Sequence, residues 1–185
     1  MAKKYVNPTK VVTGECRFSY ANLWEAKAMD ENSKPKYSVS LIIPKSDTKT
    51  IAKIKAAIEA AYEEGKSKLS NGKSVPSLSS IKTPLRDGDI DRPDDEAYAN
   101  SYFVNANSIT APGIVDADRQ QILTHSEIYS GIYGRASITF YAFNTKTSRG
   151  IACGLQNVQK LRDGDPLGGH SSAEEDFADD EDFLD

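Results

Sequence analysis

The sequence predicts a mainly β protein, a barrel or sandwich of short strands with one inserted helix and long loops. Two kinds of periodicity indicate this class. Alternating apolar and polar residues mark several strand-length segments, of which 127–144, EIYSGIYGRASITFYAFN, is the longest. Apolar residues three and four positions apart mark a single helix within SDTKTIAKIKAAIEAAYEEGKSKL.

The strand signals follow one another along the chain. The first is 10–20, which is predicted to be half-buried and is followed by a turn through 21–36. It places Val12, Cys16, Phe18 and Tyr20 on its core side. The later strand candidates are 37–45, 101–108, 111–116, 127–144 and 149–161.

The predicted helix lies between the second and third of these strands. Ser46 or Asp47 can cap its start, and the helical pattern fades near Gly65. Its apolar stripe consists of Ile51, Ile54, Ile58, Ala61 and Tyr62. A polar connection over 70–100 follows, and it is long enough to be a functional loop.

Charge divides the chain into two parts. Residues 171–185 hold eight acidic residues and no basic one, which leaves 19 acidic and 23 basic residues, a net charge of +4, in 1–170. Self-repulsion and the lack of a burying face predict one domain in 1–170 and a disordered acidic tail in 171–185. A basic body is consistent with a polyanionic partner, and a tethered acidic tail can compete for the same surface.

The remaining composition argues against several protein classes. No segment has the apolar run of a signal peptide or of a spanning helix, so a soluble intracellular protein is expected. Cys16 and Cys153 stand alone and far apart, as buried small hydrophobes do. No nucleophile motif, metalloprotease motif or phosphate loop is present, so we expect a non-enzymatic protein without a cofactor.

One acidic cluster tests the possibility of a metal site. Asp87, Asp89 and Asp91 have the first spacings of a calcium loop. However, Arg92 stands where that loop needs glycine, and Tyr98 stands where it needs a bidentate glutamate. A solvated loop is the better interpretation, and no metal is expected.

The outward face of 127–144 predicts a nucleic-acid-binding surface. Its inward residues are apolar, whereas its outward residues mix rings, a guanidinium and hydroxyls, which can stack on unpaired bases and neutralise phosphates. Each tyrosine could equally cover a loop or helix with its ring. The DNA-binding candidates on this face are Tyr129, Tyr133, Arg135 and Tyr141. Candidates on neighbouring elements are Trp24, which could instead plug the barrel end, and Lys34, Lys36, Lys82, Arg86 and Tyr102.

Four blocks carry a resemblance to a known family: RFSYANLWEAK, SLIIPKSD, EIYSGIYGRASITFYAFN, and GLQNVQKLRDGDPLGG before an acidic tail. Together they resemble the bacteriophage and prophage single-stranded DNA-binding proteins, which are similar in fold to the replication protein of T-odd coliphages. The resemblance implies an OB fold, a five-stranded barrel with one helix that carries single strands across its open face.

The same resemblance implies sequence-independent binding in phage DNA replication and recombination, in the cytoplasm of the host bacterial cell. It also implies that the tail competes with DNA and docks phage or host replication and recombination proteins. The candidate docking residues are Asp179, Asp180, Glu181, Asp182 and Phe183.

Two other functions stay open at this point. A protein-interaction module could use the acidic tail to mimic DNA and occupy another nucleic-acid enzyme. More remotely, a nuclease could use the aspartates of 87–96 with a divalent ion. A homodimer is also open.

Overall fold

Eight strands and three helices form the part of the chain that the computed structural model describes, residues 6–28 and 30–167. The strands are β1 (Lys10–Val12), β2 (Cys16–Lys27), β3 (Lys36–Pro44), β4 (Leu85–Asp87), β5 (Ser101–Ser108), β6 (Gly113–Val115), β7 (Tyr133–Asn144) and β8 (Arg149–Arg162). The helices are α1 (Thr48–Glu64), α2 (Lys66–Ser70) and α3 (Gly88–Asp91). Short 3₁₀ turns occupy Leu78–Ser80, Glu96–Tyr98 and His125–Glu127.

Five strands pair in a closed ring, in the order β7, β2, β3, β5, β8 and back to β7. All of these pairings are antiparallel except that of β5 with β8. The other three strands extend the ring, because β1 pairs with β7, β4 with β5, and β6 with β8. The predicted mainly β class and five-stranded OB arrangement are therefore confirmed.

The main core fills this ring, and alternation along the strands supplies it. On β7, the inward residues Ala136, Ile138 and Phe140 are buried, as their spacing predicts. Phe18 and Leu41 face them from β2 and β3. Cys16 and Cys153 are buried and unpaired, and burial raises the pKa of the Cys16 thiol to about 12.

Helix α1 closes one side of the barrel. The Asp47 carboxylate accepts a hydrogen bond from the Thr50 N–H, so Asp47 is the cap, one of the two predicted. The stripe through Ile51, Ile54 and Ile58 is buried, and Gly65 ends the helix. A Cβ on Gly65 would lie 2.2 Å from the Cβ of Ala142, so only glycine lets the helix end approach β7 this closely.

The strand and helix boundaries differ from the prediction in five places. The predicted strand 10–20 breaks after β1, so Val11 is buried and Val12 is exposed. The predicted turn at 21–27 is the second half of β2, and 127–132 is a 3₁₀ turn and loop instead of a strand. The polar connection contains β4 and α3, and α2 follows α1 directly, so three helices replace the predicted one.

A second, smaller core lies outside the ring, on the outer face of β3 and β5. Ile42, Tyr98 and Phe103 form it, and Leu167 packs against it. Tyr98 is fully buried, and its hydroxyl hydrogen-bonds the Ser40 hydroxyl at 3.0 Å. The 88–99 excursion therefore covers part of the outer face.

Within the described residues, no helix is both long enough and apolar enough to cross a bilayer.

Candidate nucleic-acid interface

A bulge in β2 turns Tyr20 out of the core. The register of β2 against β3 shifts between Ser19 and Asn22, and Tyr20 has φ = 47°. An extra residue in one strand changes the face that later side chains occupy. Tyr20 is consequently 56% exposed, whereas alternation predicted it on the core side. The Arg92 guanidinium lies 5.4 Å from the centre of its ring.

Polar rows continue along the same outer face towards the β2–β3 hairpin. Asn22 pairs with Ser38, and Ser38 pairs with Asn107. Paired residues on neighbouring strands share a face, so these side chains form one polar row. In the last row of the hairpin, Lys27 pairs with Lys36.

Three lysines gather at the loop end of the β2–β3 hairpin. Lys27, Lys34 and Lys36 line a cleft of about 440 Å³ together with Ser33, Ser38, Asn107 and Ile109. All three lysines are exposed. None of them makes an ion pair with another residue in 6–28 or 30–167. Their charges are therefore available to phosphates.

Trp24 lies against His125 at the open edge of β2. The two ring centres are 4.3 Å apart and the planes differ by 11°. The Trp24 indole N–H donates to the His125 carbonyl at 3.0 Å. The indole also packs against the main core. We call Tyr20, Trp24, Lys27, Lys34, Lys36 and His125 the ring-and-lysine surface.

The other half of the outer face is covered by the chain's own C-terminal segment, 163–167. Arg17 donates to the Asp165 carbonyl at 2.8 Å, and Leu167 packs on the smaller core. The Arg162 guanidinium lies 3.7 Å from the centre of the Tyr133 ring, and the Arg17 guanidinium lies 5.4 Å from the same centre. The described chain therefore ends on the outer face, at Leu167.

Tyr129 contacts the same segment. Its hydroxyl hydrogen-bonds Asp163 and the Gly164 carbonyl, both at 3.0 Å. Lys160, only 7% exposed, bridges Glu127 at 2.9 Å and Asp163 at 2.6 Å. The hydrogen bond from Lys160 lowers the pKa of Asp163, and Tyr129 adds to this. Burial raises the pKa of Tyr129.

Arg135 and Tyr141 lie on the outer side of β7. The Arg135 side chain donates to the Thr13 carbonyl at 2.9 Å and lines a cleft of about 370 Å³ that also contains Arg119. Tyr141 is 46% exposed and stands opposite Ala152 of β8. The four candidates predicted on one strand face are thus divided, since Tyr129 precedes β7 and Tyr133 lies between two arginines.

The remaining candidates lie near β4 and α1. Lys82 is exposed, and its backbone forms an isolated parallel β-bridge with Gly150. Arg86 is exposed and forms an ion pair with Asp91 at 3.6 Å. Tyr102 is half-buried against the main core, with the Lys45 and Lys55 ammonium groups 5.3 and 5.8 Å from its ring centre.

The aspartate cluster has structural partners. Lys45 reaches Asp87 at 2.9 Å and Asp89 at 2.8 Å. The hydrogen bonds that Lys45 donates to Asp89 and Asp87 raise the pKa of Lys45. The Asp87 carboxylate also accepts the Asp89 N–H at the start of α3. These aspartates therefore tie β4 and α3 to the end of β3.

A second basic cleft lies at the β7–β8 hairpin. Lys73, Lys146 and Arg149 line it, and Arg149 also donates to the Leu69 carbonyl at 3.0 Å. The other lining residues are Ser70, Asn71, Asn144, Thr145, Thr147 and Ser148. This cleft of about 300 Å³ thus combines cations and hydrogen-bonding groups, with no ring among the described residues that line it.

Sequence reasoning did not select Tyr20, Arg92 or His125 as site residues. Lys27, close to the sole tryptophan, is the same mixture of ring and cation as the other candidates, and it lines one cleft with Lys34 and Lys36. The orientation of Tyr20 had no local signal, since a bulge is visible only when two strands are aligned. The docking candidates Asp179, Asp180, Glu181, Asp182 and Phe183 lie outside the described residues.

The closed ring of five strands and the exposed rings and lysines on its outer face define an OB-fold protein with a surface suited to a polyanion that carries flat groups. A family model described as Enterobacter phage Enc34, ssDNA-binding protein, matches residues 9–184. The chain belongs to this family.

Individual relatives agree with this placement. The protein p50 of Acyrthosiphon pisum secondary endosymbiont phage 1 is 30% identical over 174 residues, which cover 90% of this chain and 91% of that protein. The single-stranded DNA-binding protein from bacteriophage Enc34, solved in complex with ssDNA, is 26% identical with a TM-score of 0.72, covering 86% of this chain and 90% of that one.

A more distant likeness extends the fold comparison. The single-stranded DNA-binding protein gp2.5 of bacteriophage T7 is 15% identical with a TM-score of 0.59, over 92% of this chain and 93% of that chain. This likeness concerns the fold alone.

Proposed function

We propose that this protein binds single-stranded DNA without sequence preference and coats intermediates of phage DNA replication and recombination. One observation carries the proposal: the β2–β3 hairpin carries the exposed Tyr20 ring, Trp24 with His125 stacked on it, and three lysines without ion pairs among the described residues. Its family membership supports the same function.

The chemistry of this surface fits unpaired nucleotides. Stacking on an aromatic ring contributes about 1–3 kcal/mol per base and tolerates any sequence, because every base has a π-face. Lysines without a carboxylate partner can neutralise phosphates and release counterions. The row of Asn22, Ser38 and Asn107 offers amide and hydroxyl groups that can hydrogen-bond base edges or sugars.

The DNA path that we propose starts at this surface and extends over the remaining candidates. Tyr133 and Arg135 would continue it along β7 as far as Tyr141, and Lys82 and Arg86 would supply phosphate contacts near β4, with Tyr102 beside them. Of these, Tyr141, Lys82 and Arg86 are exposed. Tyr133 and Arg135 are half-buried and engaged with protein partners, so their share of the binding energy should be smaller.

Salt dependence tests the proposal. If about four phosphates are neutralised per protein, affinity for oligo(dT) should fall roughly fiftyfold between about 50 and 200 mM salt, a logarithmic slope of about −3. Fluorescence anisotropy with labelled oligo(dT) measures this, and a duplex of equal length is the control. A flat salt response, or equal affinity for the duplex, would contradict the proposed function.

The acidic tail is proposed to compete with DNA for this surface and to dock phage or host replication proteins. Leu167, the last described residue, packs on the smaller core at the outer face, beside the proposed path. Fifteen extended residues reach about 50 Å, whereas the radius of gyration of the domain should be about 15 Å. Short tethers give effective concentrations on the order of millimolar, so even a weak contact would be populated without DNA.

Removal of residues 171–185 tests this competition. We expect the truncated protein to bind oligo(dT) more tightly than the full chain at low salt, because the internal competitor is gone. At high salt the two affinities should converge, since screening weakens the tail contact. Unchanged or weaker binding at low salt would reject competition by the tail and leave the proposed DNA surface standing.

A further inference from the structure

The outermost ring of the Trp24–His125 pair is the histidine. His125 is exposed, whereas Trp24 is half-buried and packs against the main core. The rings lie nearly parallel with centres 4.3 Å apart, and the indole N–H binds the His125 carbonyl at 3.0 Å. The indole therefore fixes both the backbone and the ring of a residue that faces solvent.

The segment that carries His125 is anchored at several further points. The Ala21 N–H donates to the Ser130 hydroxyl at 3.0 Å, and the Gly131 N–H donates to the Phe18 carbonyl at 2.7 Å. Glu127 pairs with the buried Lys160 at 2.9 Å. These contacts place the imidazole before any ligand arrives, which reduces the ordering cost of binding.

An imidazole held in this way offers a flat, solvent-facing π-surface stacked on β2, the strand that ends at Lys27. Lys27 lies three residues beyond Trp24 on β2 and pairs with Lys36. A nucleobase on the ring would thus have ammonium groups nearby for its phosphates. A base arriving from solvent meets the histidine before the indole, because the indole packs on the core and under His125.

We propose that His125 is a base-stacking residue: an unpaired nucleobase stacks on the outward face of its imidazole and extends the stack that begins at Trp24. The proposal rests on the proposed single-stranded DNA binding and adds a contact residue to it. Trp24 then acts through His125 and is a positioning residue. Since any base presents a π-face, this contact favours unpaired nucleotides without reading their sequence.

Affinity measurements on variants of the full chain test the role of the ring. The probe is fluorescein-labelled oligo(dT) of about 16 nucleotides. His125→Ala should weaken binding about 5- to 100-fold, the loss expected for one stacked base. His125→Phe keeps a flat ring and should bind within about twofold of wild type. All variants keep the backbone carbonyl that Trp24 binds, and thermal unfolding verifies that they fold.

The matched control is Leu123→Ala, which removes another large side chain, 75% exposed, from the same segment. It should leave affinity unchanged. The stacking role would be overturned if His125→Ala bound oligo(dT) as tightly as wild type or more tightly. It would also be overturned if His125→Phe lost as much affinity as His125→Ala. Neither result would contradict DNA binding by the protein. Failure of wild type to bind oligo(dT) at all would instead overturn the proposed function.

Photocrosslinking gives a direct readout. An oligo(dT) carrying 5-iodo-2′-deoxyuridine should, on irradiation, form an adduct that peptide mass spectrometry maps to His125. An adduct on Trp24 with none on His125 would overturn the proposed order of the stack. No adduct on either residue would overturn the stack itself.

Discussion

The two hairpin ends of the barrel are both basic, but they differ in what accompanies the charge. At the β2–β3 end, Lys27, Lys34 and Lys36 line one cleft, and Tyr20 and Trp24 lie further back along β2. At the β7–β8 end, Lys73, Lys146 and Arg149 stand with hydroxyls and amides. Neither cleft has a ring in its described lining, but β2 carries Tyr20 and Trp24, with His125 stacked on Trp24, behind the first end, whereas Tyr141 is the exposed tyrosine on β7 behind the second.

This difference separates affinity from selectivity. Cations attract any polyphosphate, single-stranded or duplex, in proportion to the number of phosphates neutralised. Rings distinguish the two, because bases in a duplex are already stacked and paired, whereas those of a single strand are exposed. We therefore expect selectivity for single strands to reside at the β2–β3 end, and the β7–β8 end to contribute charge alone.

The largest effect should come from removing the charges at one end. Replacing Lys27, Lys34 and Lys36 together by alanine should weaken oligo(dT) binding on the order of a hundredfold at low salt and flatten the logarithmic salt slope by about 2. The matched control replaces Lys73, Lys146 and Arg149 by alanine, an equal change of charge. This control should lose less affinity for oligo(dT), and its affinities for single strands and duplex should fall by the same factor. Equal losses of oligo(dT) affinity from both triple variants in anisotropy titrations would show that the two ends do not differ in selectivity.

An intermediate effect should come from the exposed ring of Tyr20. Tyr20→Ala should weaken binding to oligo(dT) about 5- to 100-fold, with little effect on duplex binding, because one stacking ring is lost. Tyr141 is a tyrosine of comparable exposure, 46% against 56%, on the outer side of β7. Tyr141→Ala should cause a smaller loss. A larger loss of affinity from Tyr141→Ala than from Tyr20→Ala would indicate that the main stacking site lies on β7.

The smallest effect should come from the ion pairs that hold segment 124–131 at the β2–β3 end. Lys160 lowers the pKa of Asp163, so the ionised carboxylate favours the folded state. This stabilisation is present above the ordinary carboxyl pKa of about 3.9 and is lost as pH falls through the lower folded value. The free energy of unfolding of wild type should therefore exceed that of Asp163→Asn near neutral pH and approach it in acid.

Urea unfolding measures this difference, and the sole tryptophan, Trp24, reports it by fluorescence. The control is Asp118→Asn, which changes an exposed aspartate that forms no ion pair with the described residues. Its stability difference from wild type should be small at both pH values. A difference for Asp163→Asn that is independent of pH would show that the carboxylate charge is not what stabilises this contact.

The spacing of apolar residues predicted the buried residues well where a strand or a helix runs without interruption. Ala136, Ile138 and Phe140 are buried as expected, and so are Ile54 and Ile58 of α1. Prediction was wrong where the backbone leaves the ideal strand. Tyr20 is exposed because β2 bulges against β3, and 128–132 is a loop after the 3₁₀ turn His125–Glu127, although Ile128 and Ile132 are buried as they would be in a strand.

The candidate site shows the same division. The predicted lysines Lys34 and Lys36 come together with Lys27, since all three flank one hairpin and are close in sequence. The partner of Trp24 is 101 residues away, and no local pattern pairs the two rings. Tyr129 was expected on an outward strand face, but its hydroxyl binds Asp163 and Gly164, which follow the last predicted strand.

The sequence by itself determined which residues could be buried, where the long helix lies, and that a basic body precedes an acidic terminus, because burial and charge follow from residue type and spacing. Only the tertiary structure decided which rings face solvent and which cations stand without an acidic partner in the described chain. Those properties depend on register between strands and on contacts between segments far apart in the chain, and neither strand of a pair contains that information alone.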